Sequence, residues 1–296
     1  MQKANPKRDE ASPFSIVIPS WNNLRYLRLC VESLRLNSTR SHQIIVHVNG
    51  GDDGTRDWVE RERIEHTASE ANIGICYAVN RAALLARTEY VIYLNDDMVA
   101  APGWDLALDR TLARVAAYPL FMLSATMVEP QATGNACVVV ADLGRDPERF
   151  DLAGFARRAP SLVRDDWLGA TWPPTLVTRA AWHEVGGYSV EFSPGMSSDN
   201  DFAMKLWHAG CRVFVGVGAS LFYHFSKVST TRIRKNDGRR QFLMKWGIAQ
   251  SAFDRRWLRR GRPVPPGDAG VVVAEPQPSP SLAFDRIKSA LKRRIG

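Results

Sequence analysis

Tyr90-Val91-Ile92-Tyr93-Leu94-Asn95-Asp96-Asp97 is a short apolar run that passes directly into three polar, turn-forming residues. Consecutive β-branched and aromatic side chains of this kind describe a strand buried on both faces, as in a parallel sheet. The sequence before it repeats the arrangement. Phe14-Ser15-Ile16-Val17-Ile18-Pro19 reads as a buried strand closed by proline, and after Asn22 and Asn23 the apolar residues Leu24, Leu27, Val31 and Leu34 recur at helical spacing. Gln43 to Val48 reads as a second strand and Asn49 to Gly54 as a turn, with Thr55 capping a helix that carries Trp58 and Val59. Ile75, Val79, Ala82 and Leu85 form the helical face that leads into Tyr90, and Pro102 opens a helix with Trp104, Leu108, Leu112 and Val115 inward. Strand and helix alternate, which predicts an α/β fold: a mostly parallel central sheet flanked by helices.

The second half departs from this alternation. Phe121 to Val128 and Cys137 to Ala141 read as strands with no strong helix between them, and Arg145 to Asp166 as a charged loop or short helix. A helix from Thr178 to Val185, a turn at Gly186-Gly187, a helix near Asp201 to Ala209, and strands at Arg212 to Val217 and Ser220 to His224 complete the compact part. The expected organisation is a flexible N-terminus over 1–12, one α/β domain over 13–240 and a C-terminal helix over 241–260 packed on it. A linker with six prolines over 261–281 and a basic amphipathic helix over 282–296 form the C-terminal extension.

Of 296 residues, 45% are hydrophobic and 24% charged, which excludes a disordered or collagenous chain. The four cysteines are scattered without a C-x-x-C, so neither a zinc ribbon nor a disulfide framework is expected, and a reducing compartment is the natural reading. No apolar run reaches the ~20 residues of a membrane span. The net charge of +8 is unevenly placed: from Lys227 onward there are 17 Lys/Arg against 5 Asp/Glu, whereas the preceding residues are slightly acidic. A basic tail on an acidic body suggests attachment to a polyanion, a membrane surface or nucleic acid.

In an open α/β sheet the ligand sits beyond the carboxyl ends of the strands. Three strands here end in polar turns, at Pro19-Ser20-Trp21-Asn22, at Asn49 to Gly54 and at Asn95-Asp96-Asp97. The last places Asp97, with Asn95, where a hard divalent cation could also hold a diphosphate, although the same three residues would serve as a solvated turn capping the next helix. Arg232, Arg234 and Lys235 could fold over a diphosphate as a lid, or form a solvated loop. Trp172 could present an aromatic face to an acceptor sugar.

Taken jointly and in order over about residues 14–247, these motifs resemble a family 2 glycosyltransferase of the GT-A fold. Ser15 to Asn22 resembles the family's first strand, Asn49 to Thr55 its second, Asn72-Ile73-Gly74 with Asn80 its N-x-G…N element, and Leu94 to Asp97 its DXD-type metal motif. Gly186-Gly187-Tyr188 followed by Ser198-Asp199-Asn200-Asp201-Phe202 resembles its acceptor-side region, and Lys245-Trp246-Gly247 a frequent later feature. The resemblance implies metal ligation by Asp97, His224 and Asn95 with Mn²⁺ or Mg²⁺, and donor binding by Pro19, Ser20, Asn22, Asn49, Asp53, Asn72, Gly74, Asn80 and Asp96. It implies an acceptor side at Gly187 and Asp201 and Asp199 as the general base, although Asp201 would equally orient the loop, and either aspartate would serve the start of the helix at Phe202. One base and one attacking hydroxyl imply a single inverting displacement.

Three positions depart from the family pattern. Val48 stands for the usual Asp at the end of the second strand, Asn95 for the first Asp of DXD, and Ser198 for the Glu beside Asp199. The expected partners are a nucleotide-diphosphate sugar, with rhamnose, galactofuranose and N-acetylhexosamine all compatible, and a glycan or lipid-linked acceptor in polysaccharide biosynthesis. The expected location is cytoplasmic, peripheral at the inner membrane face. The alternatives are a sugar-nucleotide nucleotidyltransferase, which would carry a Gly-rich basic loop after the first strand, and a basic nucleic-acid-binding protein. Neither matches Ser20-Trp21-Asn22-Asn23 or a charge confined to a tail.

Overall fold

The computed structural model describes residues 12–225, 232 and 234–295; the N-terminal segment expected to be flexible falls, up to residue 11, outside them. The first half follows the expected alternation: β1 (Phe14–Ser20), α1 (Leu24–Asn37), β2 (Gln43–Asn49), α2 (Thr55–Arg61), β3 (Glu65–Ser69), α3 (Ile75–Ala83) and β4 (Tyr90–Tyr93). Next come β5 (Met98–Ala100), α4 (Trp104–Val115), β6 (Phe121–Glu129), β7 (Val139–Val140), α5 (Leu152–Leu162), β8 (Trp167–Leu168) and β9 (Thr175–Thr178). The chain then forms α6 (Arg179–Glu184), α7 (Ser198–His208), β10 (Val213–His224), α8 (Gly238–Trp246), the short α9 (Gln250–Ala252) and α10 (Pro280–Ile295).

The sheet runs β3-β2-β1-β4-β9-β6-β10-β5. β3, β2, β1 and β4 are parallel, β9 is inserted antiparallel between β4 and β6, and β6 and β10 are again parallel. The carboxyl ends of β1, β2, β4, β6 and β10 therefore meet at one edge. Successive side chains of a strand point to opposite faces, and both faces are covered. Ile16, Ile18, Val46 and Ile92 pack with Leu27 of α1 and Trp104 and Leu108 of α4. Val17, Ile45 and Val91 pack on the other face with Val79 of α3 and Phe202 and Trp207 of α7.

Several boundaries differ from the sequence expectation. Thr55 is the first helical residue of α2 rather than its cap; Gly54 holds the cap position and Asp53 Oδ1 accepts from the Thr55 amide and hydroxyl. β10 is one strand of twelve residues, since a bulge between Val217 and Leu221 absorbs the interruption read at Gly218. α7 starts at Ser198, so Asp199 and Asp201 both lie in its first turn. The single helix expected over 241–260 breaks at Gly247, which adopts a left-handed φ of 73°. The proline-rich stretch 261–281 lies along the body instead of spanning free space: Val271 and Val273 are fully buried, and Val273 N–H donates to Arg212 O at 2.8 Å.

Candidate active site

At the carboxyl edge of the sheet a cleft of about 410 Å³ opens between the strand ends and the N-terminus of α7. A volume of this order suits a small-molecule or cofactor ligand. Pro19 and Ser20 from β1, Asn49 from β2, Asn95, Asp96 and Asp97 after β4, and His224 from β10 line it, as do Asn72, Gly74, Trp172 and Asp199. Most of the expected site residues thus converge, drawn from distant parts of the chain by parallel strands ending at one level.

Asp97 and His224 sit together because β10 pairs antiparallel with β5, with His224 opposite Met98. His224 Nε2 lies 3.6 Å from Asp97 Oδ1, too far for a good hydrogen bond. Two donors sharing one cation at about 2.1 Å each are separated by such a span. His224 Nδ1 is 2.8 Å from Glu129 Oε1 at the end of β6. Glu129 holds the ring through Nδ1 and leaves Nε2 facing Asp97, the arrangement by which carboxylates orient metal-binding imidazoles. Burial disfavours the His224 imidazolium, but Asp97 and Glu129 outweigh it and hold its pKa above the ordinary value. Among the described residues no group of three or more His, Cys, Asp or Glu forms a ready-made metal cage. The pair aims one carboxylate oxygen and one imidazole nitrogen at a common point, so a divalent cation there would complete its coordination with a bound ligand and water. Glu129 was missed in the sequence; its signal was an acidic residue closing the apolar run from Phe121, followed by Pro130.

Asn95 does not join this pair. Its Oδ1 accepts from the Tyr93 hydroxyl at 2.8 Å. Asp96 is buried and accepts from Asn23 Nδ2 at 2.9 Å; burial and the adjacent Asp97 carboxylate push it up to about 7.

Asp199 faces the cleft from the first turn of α7, with Oδ1 accepting from the Tyr188 hydroxyl at 3.0 Å. Removal from water raises its pKa to about 7, only partly opposed by the Tyr188 hydrogen bond. A carboxylate poised there is a competent general base near neutral pH. Tyr188 is fixed in turn by Asn80 of α3, which accepts from Tyr188 N at 2.8 Å and donates to Tyr188 O at 2.7 Å. Gly187 is needed for this clip: its φ is 63°, and an added Cβ would collide with Asn80 Oδ1. Asn80 and Gly187 therefore shape the Tyr188 turn and are not among the residues that line the cleft.

Other expected ligands are spent on structure. Asp53 Oδ2 accepts from Leu24 N at 2.7 Å, tying the β2 turn to the start of α1. Asn22 Oδ1 accepts from Asp52 N at 3.0 Å. Asp201, fully buried, pairs with Lys245 Nζ at 2.9 Å and accepts from Trp246 Nε1 at 2.8 Å, so it anchors α8 and does not line the cleft. Arg232 does reach the cleft margin: its guanidinium lies 5.1 Å from the Trp21 ring centre and donates to Asn22 O at 2.9 Å. Trp21 itself lines the cleft and was missed as a site residue. Arg234 is exposed. Trp172 lines the cleft as expected, with Arg260 stacked 4.4 Å from its ring centre.

The model of the Glycosyl transferase family 2 matches residues 15–114, which run from β1 to α4 and hold Asp97. No curated protein sequence matches the chain. Among solved structures it is similar to S. aureus TarS 1-349, at 15% identity and a TM-score of 0.55, over 79% of this chain and 65% of that one. The same TarS fragment in complex with UDP-GlcNAc aligns at 17% identity and a TM-score of 0.50, over 73% and 61%. GalNAc-T7 with UDP, GalNAc and Mn²⁺ aligns at 14% identity and a TM-score of 0.52, over 76% and 44%. The chain spans less than two thirds of the length of each of these structures. At such identities the likeness is one of fold, and the fold is that of the GT-A glycosyltransferases.

Proposed function

We propose that this chain, a glycosyltransferase by its family 2 domain over residues 15–114 and its GT-A fold, transfers a sugar from a nucleotide-diphosphate donor to a hydroxyl of a glycan or lipid-linked acceptor, with inversion. The observation that carries this reading is the presence in one cleft of Asp199, poised near neutral pKa, and the Asp97–His224 pair.

Asp199 takes the acceptor proton on its second oxygen, Oδ2, since Oδ1 is engaged by Tyr188. As the proton leaves, the acceptor oxygen forms a bond to the anomeric carbon, and the carbon–oxygen bond to the diphosphate breaks with its electron pair leaving on the diphosphate. One displacement inverts the centre, and no protein nucleophile is required. A divalent cation, Mn²⁺ or Mg²⁺, held by Asp97 and His224 would neutralise charge developing on the diphosphate; a mixed oxygen and imidazole set favours Mn²⁺. Arg232, at the margin beside Trp21, adds positive charge near the same leaving group. Pro19, Ser20, Asn49, Asn72, Gly74 and Asp96 form the donor wall, where Asn49 Nδ2 donates to Asn72 Oδ1 at 2.9 Å and so fixes both amides. Trp172 offers the acceptor an apolar surface.

A lipid-linked acceptor in polysaccharide biosynthesis would be met at the cytoplasmic membrane face, where the basic end of the chain favours peripheral contact. Among the described residues no helix is long and apolar enough to cross a membrane. The test is release of nucleoside diphosphate from a panel of UDP-, dTDP- and GDP-sugars in the presence of acceptor glycans, with NMR of the product. The expected result is acceptor-stimulated release and an inverted anomeric centre; a retained configuration contradicts the single displacement.

A further inference from the structure

α10 carries two stripes at the same spacing. Leu282, Asp285 and Ser289 turn toward the body: Leu282 is 4% exposed and Ser289 1% exposed. Asp285 is clamped by Arg255 Nη2 at 2.8 Å and Arg256 Nε at 2.9 Å, and Ser289 Oγ accepts from Ala249 N at 3.1 Å. Phe284, Ile287 and Leu291 are the same stripe displaced by two residues, and at ~100° per residue this places them on the opposite side. They are 63%, 59% and 52% exposed. The helix is therefore fastened by polar contacts and turns its apolar stripe outward, the reverse of an ordinary surface helix. Lys288 and Lys292, each one residue after Ile287 and Leu291, border the stripe and are exposed.

We infer that α10 is a membrane-docking helix that lies in the interface of an anionic bilayer, with Phe284, Ile287 and Leu291 among the acyl chains and Lys288 and Lys292 at the lipid phosphates. Charge complementarity selects this occupant. Lysine stems extend along apolar surface while their ammonium groups reach the headgroups. A second copy of the chain fits poorly: three side chains bury far less than the roughly 1,200 Å² of a stable interface, and a two-fold contact would oppose like charges. Nucleic acid would use the lysines and leave the apolar stripe without a role. One short helix of this kind gives reversible attachment, so that the cleft stays with the body while α10 lies on the surface. The inference stands apart from the transfer chemistry, since lipid binding is measured without donor or acceptor.

The experiment is flotation of the full chain with phosphatidylcholine vesicles and with vesicles of phosphatidylcholine and phosphatidylglycerol at about 70:30, at ~0.1 M salt. The full chain is expected to float with the anionic vesicles only. The exposed variant Phe284→Ser/Ile287→Ser/Leu291→Ser should lose flotation, and Lys288→Gln/Lys292→Gln should weaken it about thirtyfold, both with an unchanged melting temperature and unchanged nucleoside-diphosphate binding. Equal flotation with neutral vesicles, flotation of the triple serine variant at the level of the unaltered chain, or a dimer in solution that the serine variant abolishes would each overturn the inference. Binding of duplex DNA that competes with vesicles yet ignores the serine substitutions would also overturn it.

Discussion

The Tyr188 hydroxyl donates to Asp199 Oδ1 at 3.0 Å, and the turn that carries Tyr188 is gripped at both its amide and its carbonyl by Asn80. Helix α3 thereby sets the orientation of a carboxylate on α7.

Tyr188→Phe removes the hydrogen bond that lowers the Asp199 pKa while leaving the ring in its stack with Phe202, 4.9 Å between centroids. The acid limb of the pH profile of kcat/KM should move upward by about one unit, with activity recovering toward the unaltered level at high pH. Donor affinity should be unchanged. A limb that stays in place would separate Tyr188 from the base.

Asp199 has a folded-state pKa near 7, above the ordinary carboxylate value. Its contribution to folding is therefore fully present below the ordinary value and lost as pH rises through about 7, where the buried group must ionise. Asp199→Asn cannot ionise and should melt higher than the unaltered chain at pH 8, by roughly 2–4 °C for each kcal/mol recovered, with the two converging at pH 4. The same variant should bind donor and fail to transfer. Thermal melts across pH check the first outcome and product assays the second.

Asn80→Ala deletes two hydrogen bonds to the Tyr188 backbone. The expected cost is about 1–3 kcal/mol of stability, read by denaturant titration. kcat should fall more than donor affinity, because the loosened turn moves Asp199 and leaves the Asp97 side of the cleft in place.

The sheet was legible because apolar runs in β1, β2 and β4 stop at polar residues, and a buried parallel strand has no other way to end at a ligand edge. β9 was not legible: four residues inserted antiparallel at the centre of the sheet carry no periodicity of their own. Within the site, residue type was readable and direction was not. Asp199 and Asp201 are two positions apart on α7, and a helix turns about 200° over that interval, so one faces the cleft and the other Lys245. Asp53 and Asn22 look like ligands because the residues that cap turns are also those that bind polar ligands; only coordinates reveal that their oxygens serve backbone amides. Glu129 and Tyr188 meet His224 and Asp199 across the fold, and although each stands at a recognisable place in the chain, its partner cannot be read from local spacing.

Glu129→Gln keeps a side chain of the same shape beside His224 but removes the charge that favours its orientation. The expected result is a 10- to 100-fold weaker dependence of donor binding on Mn²⁺, measured by metal titration at fixed donor, with the melting temperature of the metal-free chain little changed. His224→Ala should weaken it further.

The proposed transfer requires Asp97 and a nucleoside diphosphate to meet in the same cleft. Calorimetric titration of UDP, dTDP and GDP into the full chain and into Asp97→Ala, each with and without Mn²⁺, measures this. One nucleoside diphosphate is expected to bind the unaltered chain at least about tenfold more tightly with Mn²⁺, and Asp97→Ala to abolish the gain. Failure of all three to bind, or a Mn²⁺ gain that survives in Asp97→Ala, would contradict the proposed transfer.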